Sequence, residues 1–429
     1  MIIEEKLSEL FNSISSGELE NGLRYIIIEK HDIPLVSFYI FYKTGSRNEI
    51  PGIRGISHFL EHLMFNETEN LSPREFDRVI EENGGESNAY TSQDWTVYYE
   101  EFPRETIEKV IEMETDRMQN LKFNEDSIEC ERNVILEERR YRSENIPYGI
   151  QEEALYALSY LDHPYRFPVI GYTDDILNIK SKDLKNYYKN YYNPNNALIV
   201  VSGDVCKDEI EKMIRERFGN LEKRDTPKIN IPKEKVYLRE KRGIIVHDVE
   251  VPSLMISYLC SEAQNRDSIF LDILQIILAG GRSSRLYGRL VQDSLHAISV
   301  SADFPWRIDP SLFIIHCILK ENESIELVEK IIDSEIEKLK KGELKDEELD
   351  KAKNIIFTEF IKGLQTNSGI AHMIGSYELL LGEWRKLKDI LEGYEKVDKE
   401  RVIETARKYL NEERKTVVAM VPFNYNEKR

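Results

Sequence analysis

One spacing constrains this chain more than any other: Pro34 and Pro252, Tyr191 and Tyr409, and Asn193 and Asn411 each stand 218 residues apart. Longer stretches match at this offset or within two residues of it. "HDIPLVSFYIFYKTGSRN" from His31 is matched by "HDVEVPSLMISYLCSEAQN" from His247, and "YYNPNNALIVVSGD" from Tyr191 by "YLNEERKTVVAMVP" from Tyr409. Independent matches at one offset describe a duplicated unit of a little over 200 residues. Each copy opens with alternating apolar positions, runs through helical stretches and closes on a late strand. That order is α+β, with each copy a mainly antiparallel sheet packed with helices, rather than strict βαβ alternation. "EKRDTPKINIPKEK" between the copies is charged and carries two prolines. The expected division is therefore residues 1–221, a linker at 222–235, and residues 236–429.

The composition narrows the function classes. A net charge of −19 in 429 residues speaks against nucleic acid as a partner. No run of apolar residues is long enough for a membrane span. The acidic, amphipathic start "MIIEEKLSELF" lacks the basic and apolar regions of a secretory signal, so a cytoplasmic location is expected. Cys130, Cys206, Cys260 and Cys317 are far apart and form no C-x-x-C pair, which suits free thiols better than a disulfide framework or structural zinc.

The two copies differ where it matters. "GISHFLEHLMF", residues 55–65, has His58 and His62 four apart with Glu61 between them, and the equivalent stretch of the second copy reads "ILQIILAGG". On a helix, residues i and i+4 share a face and i+3 lies beside them. Two imidazoles can then grip one metal ion while Glu61 leans over it. The order is H-x-x-E-H, the inverse of the commoner zinc motif. Zinc suits two imidazoles and needs a third protein ligand with an open position for water. Such water loses its proton readily to an adjacent carboxylate. A solvated helix face is the plainer reading of the same residues. The third ligand is sought in "CERNVILEERRYRSENIP", 130–147, where Glu131, Val134, Ile135 and Glu138 fall on one helical face. A buried face of that composition makes sense around a metal with a supporting carboxylate. Glu137 is turned away and should face solvent.

These residues resemble the pitrilysin and mitochondrial processing peptidase family of zinc metallopeptidases. "HFLEH" followed by Glu138 in "ERNVILEERR" carries the likeness, together with "NAYTSQDWTVYY" at 88–99, "HPYRFPVIG" at 163–171 and "GGRSSRLYGRL" at 280–290. The likeness spans both halves, and the processing-peptidase-like branch of β-type subunits is the nearest. It implies a zinc-dependent endopeptidase acting on unfolded or extended peptides, with one Zn2+ per chain. His58, His62 and Glu138 would be the metal ligands, Glu61 the general base and Glu131 a catalysis-assisting carboxylate. Asn88, Ala89, Tyr90 and Thr91 would belong to an edge strand that captures substrate by main-chain pairing. The plainer reading of that segment is an ordinary strand with Tyr90, Trp95 and Val97 packed.

One element of the family pattern is missing. Active members bring an arginine and a tyrosine, seven apart, from a C-terminal half to hold substrate. In "SSRLYGRLVQDSLHAISVSA", 283–302, those positions are Val291 and Ile298. Arg289 and His296 have the spacing but are two residues out of register. The resemblance then implies a dimer, either a homodimer or a heterodimer with an α-type subunit supplying the pair. The alternative is a non-catalytic or weakly active subunit. Glu144, Glu152 and Glu153 are candidates for recognising a basic residue in the substrate.

Overall fold

A computed structural model of the chain describes residues 2–236 and 239–425, with the side chains of 2–4 and 144 left aside. It divides into two units.

The first unit holds a six-stranded sheet. Its strands are β1 (Ile14–Glu18), β2 (Arg24–Glu29), β3 (Leu35–Tyr42), β4 (Glu86–Thr91), β5 (Thr96–Pro103) and β6 (Ala197–Gly203). The order is β1-β2-β6-β3-β5-β4. Only β2 and β6 run parallel. The second unit holds a five-stranded sheet of β7 (Lys241–His247), β8 (Ser253–Leu259), β9 (Ala297–Asp303), β10 (Leu312–Leu319) and β11 (Lys415–Pro422). Its order is β7-β11-β8-β10-β9, again with a single parallel pair, β7–β11. The duplication in the sequence is thus a duplication of topology. β3 and β6 recur as β8 and β11 at the same offset. The stretch 222–235 carries neither helix nor strand.

Each unit takes in one segment from the other half of the sequence. Residues Phe360–Trp384 belong to the first unit and Arg140–Arg166 to the second. The reason shows in β3, which is buried along almost its whole length. Val36, Phe38, Ile40 and Tyr42 point into the main core with Phe59 and Leu60. Alternation sends Tyr39 and Phe41 to the opposite face. A helix at Asn367–Leu381 covers that face: Ser368 Oγ lies 2.7 Å from Tyr39 OH, and Asn367 Nδ2 donates to Leu35 O at 2.9 Å. In the second unit the helix Pro147–Ser159 plays the same part. Its Leu155 packs with Met255 and Val418, and the fully buried Gln151 donates to Val418 O at 2.8 Å. A sheet with two apolar faces needs cover on both, and the local helices supply only one.

The close approach of the Asn367–Leu381 helix depends on Gly375. A Cβ there would stand 2.4 Å from Cε2 of the buried Phe41 ring. Helix propensity favours Ala over Gly by about 1 kcal/mol, while overpacking against a fixed ring costs about 1–3 kcal/mol. Gly375→Ala is therefore expected to lower stability, by up to about 2 kcal/mol in chemical denaturation. A stability gain would show that this helix is loosely seated.

Candidate metal centre

The short helix Ile56–Leu63 is placed from its N-terminus. Gly55, before it, has φ +88°, and a Cβ there would meet Ile170 O at 2.3 Å. Gly171, φ +82°, lies against Gly55 in the same way, with Arg54 O 2.3 Å from its own hypothetical Cβ. Two glycines let two chain segments touch where side chains would hold them apart. The Glu49 carboxyl group then closes the helix start, accepting from Gly55 N at 2.7 Å and Ser57 N at 2.9 Å. Ser57 Oγ lies 2.8 Å from Tyr187 OH. Phe59, Leu60 and Leu63 fill the core, which fixes the rotation of the helix. His58 and His62 emerge on another side, with ring centroids 4.8 Å apart.

The helix Glu125–Arg139 supplies the facing carboxylates. Ile128 and Ile135 anchor it in the core. Arg132 donates to Ile179 O at 2.8 Å and to Ile176 O, and Arg139 donates to Gly171 O at 2.7 Å. Glu131 and Glu138 are half-buried, and Glu137 is exposed as expected. Val134 is not on the buried face that its spacing predicts. It is 46% exposed, because the contact stripe runs through Ile128, Arg132, Ile135 and Arg139 instead.

The ligand atoms of His58, His62 and Glu138 all lie within 4.8 Å of one another. Glu138 Oε2 is 3.2 Å from His62 Nε2 and 3.6 Å from His58 Nε2. On its other side, His62 Nδ1 lies 3.2 Å from Glu131 Oε2, and Asn66 Nδ2 donates to Glu131 Oε1 at 3.2 Å. Glu61 accepts a hydrogen bond from the Thr91 hydroxyl. Burial alone would lower the pKa of His62, but its hydrogen bonds to Glu131 and Glu138 and the nearby charge of Glu61 raise it to about 9. Burial would raise Glu131, but its bonds to His62 and Asn66 hold it below the usual carboxylate range.

This donor set fits a zinc ion. Two imidazole nitrogens and one carboxylate oxygen converge, and the outer nitrogen of one imidazole already rests on a second carboxylate. Histidine and carboxylate donors of this kind can bind a divalent cation.

The strand residues divide by alternation. β4 is the outer strand of its sheet. Thr91 reaches Glu61 on one face, and Ala89 packs against the main core. Tyr90 belongs to the other face, its OH 2.7 Å from His372 Nε2 and accepting from Trp95 Nε1 at 3.2 Å. Asn88 is exposed, and its Oδ1 accepts from Ala89 N at 2.8 Å. Trp95 and Val97 are packed.

In the second unit, Ile298 is 54% exposed on β9 and Arg289 is exposed. His296 Nδ1 lies 3.1 Å from Glu323. Glu152 is held above its usual range by burial, while the side chain of Glu144 lies outside the described residues. His163 is a structural loop residue, accepting from Tyr165 N at 3.1 Å and lying 3.1 Å from Asp309. Gly280 ends the helix Asp267–Ala279.

Two residues had weaker sequence signals. Asn66, four after His62, continues the spacing of the motif. Glu49 precedes the glycine-bounded helix start, the position of a capping acid, but its distance in sequence hid it.

Comparison with known proteins follows the same residues. Residues 24–171 match the insulinase-type peptidase family M16, and residues 178–356 match the peptidase M16 inactive domain. The zinc protease PqqE of Helicobacter pylori is 32% identical over 415 residues, 95% of this chain and 92% of its own length. The chain belongs to peptidase family M16. The uncharacterized zinc protease YmxG of Bacillus subtilis is 27% identical over 394 residues, 92% of this chain and 95% of its own. The crystal structure of a protease from Helicobacter pylori superposes with a TM-score of 0.90 at 31% identity, covering 95% of this chain and 99% of that one. An M16 inactive-domain protein of Pseudomonas fluorescens shares the fold at a TM-score of 0.88. Among the described residues, no helix is long and apolar enough to cross a membrane.

Burial pushes the Glu49 carboxyl up to about 8, against the pull of its two backbone hydrogen bonds. Between about pH 4.5 and 8 the folded chain then keeps a proton that the unfolded chain has released, so this group favours folding less as pH rises. Glu49→Gln removes that proton exchange. Melting curves across this window are expected to show a shallower fall with pH in the variant than in the parent chain. Equal slopes would mean that Glu49 is ionised throughout.

Proposed function

We propose that the chain is a zinc-dependent endopeptidase for unfolded or extended peptides. The observation that carries the reading is the convergence of His58, His62 and Glu138 beside a Glu61 carboxylate steadied by Thr91. His58, His62 and Glu138 would hold the metal, which would supply Lewis acidity for the attack of water on a peptide carbonyl. Glu61 is the general base for the attacking water and the acid for the leaving amine. Glu131 and Asn66 fix the ring of His62 and its protonation. The outer edge of β4, from Asn88 to Thr91, takes the peptide as an added strand, so recognition runs through the main chain and tolerates many sequences. The names of the M16 relatives support zinc and protease chemistry, and the four free cysteines suit the cytoplasmic reading.

A second reading concerns how much of the reaction one chain can do. Val291 and Ile298 stand where the substrate-holding arginine and tyrosine are expected, and residues 178–356 match the inactive domain of the family. Of the out-of-register substitutes, His296 is engaged with Glu323. The chain is then a β-type subunit working in a pair, with an α-type chain supplying the arginine and tyrosine. Lacking one transition-state donor costs about 10²–10³ in rate.

The test is cleavage of a quenched fluorescent peptide by the zinc-loaded chain, with and without chelator. Chelator-sensitive cleavage is expected, slow for the chain alone. Glu61→Gln should lower kcat by about 10²–10⁴ while leaving zinc stoichiometry unchanged. Cleavage unaffected by chelator or by Glu61→Gln would remove the peptidase reading. Cleavage at ordinary enzyme rates by the lone chain would remove the pairing.

A separate expectation concerns the supporting carboxylate. Glu131→Gln should weaken zinc binding about 10–100-fold in competition with a chromophoric chelator. Unchanged affinity would leave Glu131 without the role assigned to it.

A further inference from the structure

The two units differ in what covers one face of their sheets. By strand register, Tyr25 and Ile27 of β2, opposite Ile199 and Val201 of β6, correspond to Arg242 and Ile244 of β7, opposite Val417 and Ala419 of β11. In the first unit the helix Lys207–Phe218 lies over this face. Its Ile210, Ile214 and Phe218, four apart, are buried in one core with Tyr25 and Ile27. The helix runs antiparallel to β2: Lys207 N donates to Glu29 Oε1 at 2.9 Å at one end, and Phe218 O accepts from Asn21 Nδ2 at 2.8 Å at the other. It also packs along the helix Ile107–Gln119, where Arg217 Nη2 lies 3.7 Å from Glu108 Oε1.

The second unit repeats the seat. The helix Ile325–Lys340 begins 218 residues after the helix Ile107–Gln119, so Glu326 takes the place of Glu108. β11, however, leads into residues 423–425, which form no helix. A groove of about 390 Å³ lies there, with Ile244, Ala419, Val421 and Ile325 among its walls and Glu326 on its rim. Ile244 is 74% exposed where its counterpart Ile27 is wholly buried, and Val246 beside it is 54% exposed. Arg242 and Glu329, also in the groove, are bonded to each other at 2.9 and 2.6 Å and so satisfy one another. Glu326 has only an exposed neighbour, Lys330, at 3.8 Å. A concave apolar surface with a single acidic rim marks an interaction site better than a solvated face.

We infer that this groove docks an amphipathic helix of a partner polypeptide, seated antiparallel to β7 as the helix Lys207–Phe218 is seated on β2. The first unit shows the chemistry the occupant must carry. Apolar residues four apart meet Ile244 and Ala419, and an arginine or lysine beside that stripe meets Glu326, as Arg217 meets Glu108. Anchors at this spacing are how a helix is read by a groove. None of these residues belongs to the metal set, so the docking site stands or falls apart from the peptidase reading.

The test uses the full chain and, as probe, the Lys207–Phe218 sequence made as a fluorescein-labelled peptide, bridged on its outer face to hold it helical. Fluorescence anisotropy is expected to show saturable one-to-one binding. Ile244→Asp, at an exposed position, should weaken it about tenfold or more with an unchanged melting temperature. Glu326→Lys should weaken it about two- to fivefold, and a peptide carrying Arg217→Glu should recover that loss. A peptide with Ile210→Ser and Ile214→Ser should not bind. Absence of binding by the parent peptide, or binding indifferent to Ile244→Asp, overturns the proposal. An apolar dye that binds the chain through Ile244 while the peptide does not would give the groove to a small apolar ligand. Sedimentation in which Ile244→Asp dissolves a dimer would give it to a second copy, and either result overturns the partner helix. Failure of the charge-reversed pair to recover affinity overturns the seating against Glu326.

Discussion

The candidate metal centre rests on one contact, the seating of the Glu125–Arg139 helix against the Ile56–Leu63 helix. His62 of one helix lies between Glu131 and Glu138 of the other, 3.2 Å from each, so the arrangement needs both helices. Keeping it requires that neither helix rotate. The first is held by the buried Phe59, Leu60 and Leu63 and by the Glu49 cap; the second is held by Ile128, Ile135 and the arginine contacts to Gly171 and to the end of the helix Thr173–Asn178, at Ile176 and Ile179. The Gly55–Gly171 approach ties both sets together, since Gly171 touches the start of one helix and accepts from Arg139 of the other. Core packing here serves chemistry by fixing the direction of three side chains.

Duplication followed by divergence explains the asymmetry of the two units. The position equivalent to His58 is Ile276, buried in the Asp267–Ala279 helix. In one copy this helical face turns imidazoles toward a carboxylate; in the other it packs. The edges diverged too. The first sheet has β1 on one side and leaves β4 as its other margin, next to Glu61 through Thr91. Among the described residues β7 is the outer strand of the second sheet. The same plan thus places one strand edge beside the candidate metal residues, through the contact of Thr91 with Glu61.

Much of this was legible in the sequence because it rests on local periodicity. The offset of 218 marks the repeated strands, and the four-residue step from His58 to His62, with Glu131 and Glu138 seven apart, marks the ligand faces. What was not legible depends on long-range contact. Val134 has helical spacing with Glu131 and Glu138, yet it is exposed because the contact stripe runs through Ile128, Arg132, Ile135 and Arg139. The exchange of the Asn367–Leu381 and Pro147–Ser159 helices between units leaves no local mark, since an amphipathic helix does not name the sheet it covers. The hydrogen bond from Thr91 to Glu61 joins residues 30 apart and needed the strand register to appear.

The central claim is that His58, His62 and Glu138 hold one zinc ion in the first unit. X-ray absorption at the zinc edge of the loaded chain tests it most directly. The account requires nitrogen and oxygen neighbours at about 2.0–2.2 Å, with two imidazole scattering patterns and no sulfur. Glu138→Ala should remove one oxygen contribution, and His58→Ala should remove one imidazole. Sulfur scattering, or a zinc environment unchanged in both variants, would place the metal elsewhere and contradict the account.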